Sequence, residues 1–396
     1  RNRRPIMKIL LLAPHPFYQE RGTPIAVDLL LKSLSRAGHQ IDLITFHEGL
    51  DRNYEGVSIH RIKPLGNVAD VRPGFSAKKI FLDFFVFLKL LMFLTRNRYD
   101  VVHAVEESAF MAMLVCPIFR TPFIYDMDSS MATQVIDRFP FFSKVETLLR
   151  ALESLPARTA KVVVPCCDAL QRDISVFRDP KKKPIIVLKD ISLLDKSSPV
   201  TSSNIDVKAL TGAPSQTRTK ILMYIGNLES YQGIDLLLEG FANANKTSEE
   251  LYLVIVGGET EDIEKYQNKC LHLGIQKKVY FLGKQPVSDL YALMKQADIL
   301  VSPRTQGVNT PMKVYSYLDS NIPVLATRLP THTQVMTDEH ACLVEPTPAG
   351  IAEGIDLLIK SPEVGQKLAK NAQNLIEAEH SFPAFHGKVR QIYSII

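Results

Sequence analysis

Two doubly wound α/β domains in tandem are what the sequence predicts, on three observations. Strand-type and helix-type segments alternate along nearly all 396 residues. The strand segments are continuous apolar runs, as parallel strands covered on both faces require. The alternation stops once, in a polar, turn-rich stretch, and then starts again. Length suits two domains. With 46% apolar and 22% charged residues, 19 Gly and 24 Pro, the composition is that of a globular protein and excludes disordered, collagen-like and coiled-coil chains. The cysteines, Cys116, Cys166, Cys167, Cys270 and Cys342, include no Cys-x-x-Cys pair, which excludes a disulfide scaffold and a cysteine-built zinc site. A reducing, cytoplasmic environment is expected.

The chain opens with the basic stretch Arg1–Ile6 and the apolar run Met7–Ala13. That run is short and ends in Pro14-His15-Pro16 with no small-residue cleavage site, so it is expected to be a first buried strand, with Met7 a natural start, and not a signal peptide. Helix Pro24–Ala37 follows, with Thr23 able to cap it, Pro24 in its first turn and Gly38 past its end. Strands Gln40–Phe46 and Val57–Ile62 come next. The run Ile80–Leu94 is strongly apolar, but Asp83 and Lys89 interrupt it and it is too short to span a bilayer. It reads as a helix buried in the first domain, or as one whose apolar face meets a membrane while Lys78, Lys79, Arg96 and Arg98 meet anionic lipid. Then come strand Val101–Ala104, a helix near Glu107–Val115, strand Phe123–Tyr125, helix Ser143–Ala157, strand Lys161–Pro165, helix Asp168–Val176 and strand Ile185–Leu188.

The polar break gives the domain boundaries: 1–195 for the first domain, 196–220 for the linker and 221–379 for the second. The second repeats the alternation with strands Ile221–Ile225, Leu251–Val256, Val279–Leu282, Ile299–Ser302, Val324–Thr327 and Ala341–Leu343. Helices Pro348–Ser361 and Pro362–Glu379 close it, and residues 380–396 form a final helix expected to pack back on the first domain. Charge is uneven: up to Asp190 there are 28 Lys and Arg against 20 Asp and Glu, and beyond it 19 against 22. A basic first half suits an anionic surface or substrate. No Lys/Arg stripe with interleaved aromatics is present, which argues against nucleic acid.

Ligands of open parallel sheets bind beyond the carboxyl ends of the strands. The long loop Pro14–Thr23 carries Arg21 and Gly22 into a helix N-terminus, where free N–H groups favour an anion. Loop Ser302–Lys313 does the same in the second half. Asn309 or Thr310 can cap there, Pro311 suits the first helical position, the amides around Gly307–Thr310 can cradle a diphosphate, and Lys313 adds a full charge. Gly226-Asn227 through Gln232-Gly233 and the pair Gly257-Gly258 lie on the same rim. In the first half Asp126-Met127-Asp128 has the spacing of a metal-binding pair, but no metal site is expected. Asp126, His103, Glu106 and Glu107 end strands and can orient hydroxyl groups.

Taken in order, Arg21-Gly22-Thr23-Pro24, Gly38-His39, Tyr224-Ile225-Gly226-Asn227, Gly257-Gly258, Phe281-Leu282-Gly283, Asn309–Leu318 and Pro323–Thr327 resemble the family-4 glycosyltransferases of the GT-B fold, from Met7 to the C-terminal helix. The resemblance implies two Rossmann-like domains facing across a cleft, a nucleotide-diphosphate sugar held mainly by the second, and transfer with retention of configuration. It implies no bound metal and no cofactor beyond the co-substrate. By position it sets Leu282 and Gly283 near the nucleobase and Arg304, Gly307, Val308, Asn309, Thr310 and Lys313 near the diphosphate and sugar. It closes the Arg21–Gly22 loop over the phosphates, and puts Asp126 and Asp128 where the family often has a histidine facing the donor sugar. Many members carry Arg and Lys where this chain has Asn227 and Gln232, and a Glu-x7-Glu pair where it has Val308 and Ser316. The charge for the diphosphate is then expected from Arg21, Arg304 and Lys313.

The expected catalytic residues are Asp126, Asp128, Lys313 and Arg21. The expected activity is retaining transfer to an acceptor hydroxyl, with a non-catalytic nucleotide-sugar-binding protein or an epimerase on the same scaffold as alternatives. The acceptor is expected to be lipid-linked or anionic, with reversible docking of the first domain on the inner face of a membrane.

Overall fold

The computed structural model of the chain describes residues 5–20, 22–63, 76–194, 205–212, 219–245 and 250–396. Arg21 and most of the predicted linker lie outside the described residues. The chain divides into two compact units, one running to Asp190 and taking in Phe385–Ile396, the other Ile191–Ala384.

In the first unit the order is β1 (Lys8–Ala13), α1 (Gly22–Arg36), β2 (Gln40–Thr45), β3 (Val57–Arg61), α2 (Ala77–Arg96), β4 (Val101–Val105), α3 (Ser108–Val115), β5 (Phe123–Met127), α4 (Met131–Arg138), α5 (Glu146–Thr159), β6 (Val162–Pro165) and α6 (Asp168–Ser175). All strands pair in parallel, in the order β3-β2-β1-β4-β5-β6. The second unit has α7 (Val207–Leu210), β7 (Lys220–Ile225), α8 (Ile234–Asn245), β8 (Leu251–Val256), α9 (Thr260–Leu273), β9 (Val279–Gly283), α10 (Val287–Met294), β10 (Ile299–Ser302), α11 (Met312–Asp319), β11 (Val324–Thr327), α12 (Pro330–Thr333), β12 (Cys342–Val344), α13 (Pro348–Lys360) and α14 (Pro362–Glu379). Its sheet, β12-β11-β10-β7-β8-β9, has the same connectivity. The terminal helix α15 (Phe382–Tyr393) belongs to the first unit from Phe385 onward. In each sheet the winding reverses between the first and fourth strands of the unit, β1/β4 and β7/β10. Such a reversal of winding is where open parallel sheets place their ligand sites.

Burial follows the sequence pattern. Successive residues of a strand point to opposite faces of its sheet. Ile9, Leu10, Leu11 and Leu12 of β1 are all fully buried, as are Val101 and Val102 of β4, so both faces of the first sheet are covered there. Helix α2 is capped by Ser76, whose side chain accepts from the Lys79 amide. It buries Leu82, Val86, Leu90 and Leu94, one residue per turn, and leaves Ile80, Phe81, Phe84 and Leu88 exposed. It is therefore half inside and half outside the domain.

Several expected boundaries shift for local reasons. Helix α1 starts at Gly22, so Thr23 sits in its first turn and does not cap it, and Pro24 is tolerated because the first N–H groups of a helix lack intrahelical partners. β5 runs through Met127, so Asp126 lies within a strand and only Asp128 follows it. Ile185 makes one isolated bridge to Val163 and not a strand. Pro311 itself is the N-cap of α11, so neither Asn309 nor Thr310 caps it.

Arg178, almost fully buried, ties the ends of α5 and β6 to the chain that follows α6. Its guanidinium donates to the carbonyls of Ala160 (3.0 Å), Lys161 (3.1 Å), Lys183 (3.1 Å), Pro184 (3.2 Å) and Ala157. Burial lowers its pKa to about 10. Arg178→Ala strands these acceptors, and urea unfolding is expected to show a loss of about 3 kcal/mol or more. A loss below about 1 kcal/mol would show that the carbonyls find other partners.

Candidate functional site

The carboxyl rim of the second sheet gathers residues from β7, β8, β9 and β10. After β7 the chain turns at Gly226, whose amide donates to the Val256 carbonyl (2.9 Å). Gly257, at φ +112°, lies so close to the Gly226 carbonyl that any Cβ would overlap it, and its amide donates to the Gly283 carbonyl (2.7 Å). Gly283 ends β9, and the Leu282 carbonyl accepts from Gln285 Nε2 (2.7 Å). Gly258 has Leu228 where a Cβ would go. Gly233, at φ +78°, abuts the Pro303 carbonyl, and the Thr305 amide donates to the Tyr231 carbonyl (3.0 Å). The loops after β7 and β10 are thereby packed backbone to backbone.

Lys313 sits in the middle of this rim, in the first turn of α11. Its Nζ donates to Gln232 Oε1 (3.1 Å) and lies 3.9 Å from the centre of the Tyr224 ring. A Cβ on Gly226 would be 2.9 Å from that Nζ. The Tyr224 hydroxyl is fixed by donation to the Asn227 carbonyl (2.6 Å). Among the described residues no carboxylate pairs with Lys313. Burial, and then the nearby Arg304 charge, push its pKa well below the ordinary lysine value. A desolvated cation with only neutral partners is expensive, and an anionic ligand relieves that cost.

Arg304 is engaged within its own loop. Its Nε and Nη1 donate to the carbonyls of Gln306 (2.7 Å) and Asn309 (3.0 Å), and the guanidinium lies 5.1 Å from the Tyr231 ring centre. It shapes the loop from within, and Gly307 (φ +114°) is where a Cβ would collide with it. Thr331 Oγ1 also donates to the Asn309 carbonyl (2.6 Å), and Gln334 Nε2 donates to the Val308 carbonyl (2.7 Å) and the Thr310 hydroxyl (3.1 Å). With the carbonyls turned inward, the Gly307 and Val308 amides have no carbonyl partner among the described residues. Ser316, buried on α11, accepts from the Leu193 amide (3.2 Å) and is spent on local structure. Below the loop, His332 is fully buried against Ser302 (2.8 Å) and the Thr327 carbonyl (2.8 Å), with its pKa lowered to about 4 by burial.

The first unit's rim is acidic. Thr23 hydrogen-bonds Asp128, whose pKa burial and then the neighbouring Asp126 and Glu106 raise well above the ordinary value. Burial, followed by Glu107, raises Glu106 to about 7, and burial followed by Asp126 raises Asp190 to about 7. Glu106 is held at φ +50°, a strained conformation for a side chain with a Cβ, with its amide on the Asp126 carbonyl (2.8 Å). Gly22 opens α1 in open space. Among the described residues no group of three or more His, Cys, Asp or Glu side chains is placed to hold a metal ion. Asp190, Tyr393 and His332 carry no local motif. They reach these sites through tertiary packing that sequence spacing does not encode.

Two family descriptions match separate stretches of the chain: Glycosyltransferase Family 4 over residues 21–188 and Glycosyl transferases group 1 over residues 212–375. An uncharacterised glycosyltransferase of Methanocaldococcus jannaschii is 22% identical over 383 residues, 94% of each protein. A D-inositol 3-phosphate glycosyltransferase of Corynebacterium aurimucosum is 22% identical over 75% of this chain and 74% of its own length. The crystal structure of Anabaena HepE in complex with UDP is similar with a TM-score of 0.74 at 15% identity, covering 98% of this chain and 100% of its own, which is a likeness of fold. With both halves matched in order, the chain belongs to the family-4, group 1 glycosyltransferases of the GT-B fold.

Proposed function

We propose that the protein transfers a sugar from a nucleoside-diphosphate sugar to an acceptor hydroxyl, with retention of anomeric configuration. The observation that carries this reading is Lys313, a half-buried lysine with no carboxylate partner among the described residues, on a glycine-lined rim beside the Gly307 and Val308 amides. As the bond to the diphosphate breaks, negative charge grows on the leaving oxygens. A preorganised lysine and the Gly307 and Val308 amides stabilise it where it develops. The leaving phosphate can take the acceptor's proton on the same face, so no protein base is required for that step. Asp126 and Asp128 orient substrate hydroxyls at the first unit's rim. That HepE has been solved with UDP and with UDP-glucose supports this donor class and makes UDP a suitable probe.

Lys313→Ala removes a charge-assisted bond worth about 1.5–3 kcal/mol, so calorimetry is expected to show UDP affinity falling about tenfold to a hundredfold. Unchanged affinity would remove Lys313 from the site. Release of nucleoside diphosphate from a panel of nucleotide sugars tests the activity. Binding without release from any donor would leave a nucleotide-sugar-binding protein. An inverted product would contradict retention.

The reaction is metal-independent in this reading, because a lysine and amides hold the diphosphate where other transferases use a divalent ion. Turnover is expected to survive a chelator that strips divalent ions. Complete loss, restored by added metal, would overturn that claim and the assignment of Asp126 and Asp128 to hydroxyl binding.

The acceptor in this reading is lipid-linked or anionic, and the first unit works at the cytoplasmic face of a membrane. The five cysteines are free thiols, which suits a reducing compartment. Among the described residues no helix is long and apolar enough to cross a bilayer. Phe84 on α2 is 56% exposed, Leu114 on α3 and Leu148, Leu152 and Leu155 on α5 are exposed as well, and α3 packs beside both other helices. Lys78, Lys144, Arg150 and Arg158 border these side chains along the chain. Apolar burial and cation attraction then add, at about 1 kcal/mol per basic residue near an anionic surface. Co-sedimentation with anionic vesicles at low salt, weakened by added salt, is expected. No binding at low salt would refute the docking and leave the transfer reading intact.

A further inference from the structure

A buried hydrogen-bonded chain links the C-terminal helix to the acidic rim of the first unit. His103, in β4, is fully shielded from solvent. Its Nδ1 lies 2.8 Å from the Tyr393 hydroxyl, and its Nε2 lies 3.0 Å from Asp126 Oδ2. Tyr393, near the end of α15, is itself buried and lies beside two imidazoles. Its ring lies 5.9 Å from that of His103 at 10° and 6.0 Å from that of His39 at 27°. Burial, and then Asp126, raise the phenol's pKa well above its ordinary value, so it stays a hydroxyl and has a proton to give. α15 is anchored at a second point, where Ser33 and His386 Nδ1 are 2.8 Å apart.

With a neutral imidazole and Asp126 as a carboxylate, one proton arrangement satisfies every member. Tyr393 donates to Nδ1, and the imidazole N–H on Nε2 donates to Asp126 Oδ2. The other tautomer sets the Nε2 lone pair against the carboxylate oxygen and leaves Tyr393 to accept. A histidine whose one nitrogen is engaged by a fixed donor can hold a carboxylate in one orientation with the other.

We propose that Tyr393 and His103 are positioning residues that fix the Asp126 carboxylate for the reaction, so that the last helix of the chain completes the first unit's site. This rests on the reading that Asp126 orients a substrate hydroxyl. It assigns a role in turnover to a tyrosine that touches no substrate and that no sequence motif marks.

The test is Tyr393→Phe, which removes one oxygen and keeps the stacked ring. Selective isotope labelling of histidine reports the His103 tautomer by NMR, and diphosphate release from UDP-glucose reports turnover. The expected result is an Nε2–H tautomer in the wild type that becomes averaged in Tyr393→Phe. Turnover number falls about fivefold, the loss of one buried neutral hydrogen bond, while KM for the donor stays within about twofold. In an Asp126→Ala background the same Tyr393→Phe change is expected to have no further effect on turnover. A purely structural tyrosine would lower the melting temperature and leave tautomer and turnover number alone. An Nδ1–H tautomer in the wild type, or wild-type turnover by Tyr393→Phe, would overturn the proposal. If the wild type released diphosphate from no donor, the transfer reading would fail and the tautomer would decide whether the relay exists.

Discussion

A lysine half withdrawn from water, with no carboxylate beside it among the described residues, is the constraint around which the second unit is organised. Lys313 is desolvated, leans on the Tyr224 ring and is hydrogen-bonded by the neutral Gln232. Burial and the nearby Arg304 charge outweigh these contacts and disfavour the ammonium form until a ligand brings negative charge. The parallel sheet makes the arrangement possible, because β7 and β10 lie side by side where the winding reverses and the loops that follow them meet. Glycines at 226, 233 and 257 let the connecting backbones close in around the lysine, since each would collide through a Cβ. Arg304 is turned back on its own loop, where it holds the carbonyls of Gln306 and Asn309. The two basic residues are thus placed differently: Arg304 is tied into the loop, and Lys313 has only neutral partners among the described residues.

The first unit carries the opposite chemistry. Burial and mutual repulsion raise the proton affinity of Glu106, Asp128 and Asp190, so the rim offers hydroxyl protons as well as carboxylate oxygens. That mixture suits neutral hydroxyls better than phosphate. The strained backbone at Glu106 falls in this same cluster. In the proposed transfer, the lysine and amides at the second unit's rim serve the diphosphate, and the carboxyls at the first unit's rim serve the alcohol.

Much of this is legible in the sequence. The apolar strand runs and their alternation with helices locate nearly every strand of both sheets, because fully buried parallel strands leave an unmistakable pattern. Lys313, the glycine pairs and the loop after Ser302 stand out because anion sites reuse helix starts and small residues. What escapes a local reading is tertiary. Ser316 faces the Leu193 amide, and Arg304 bends back on its own loop. Asp126 lies inside β5 because pairing with β4 and β6 extends that strand. Tyr393 reaches His103 across 290 residues, a separation that no local pattern spans. The short helix α4, started by Ser130, is hidden by its length and by the loop-like residues before it.

The most direct test of the central claim is the proton linked to diphosphate binding. In the free protein, burial favours the neutral amine of Lys313, and a bound diphosphate favours the ammonium. Calorimetry of UDP binding in two mildly alkaline buffers of different ionisation enthalpy measures the protons exchanged. Net proton uptake, with affinity falling as pH rises, is the result this account predicts. Equal heats in both buffers and an affinity independent of pH would contradict it.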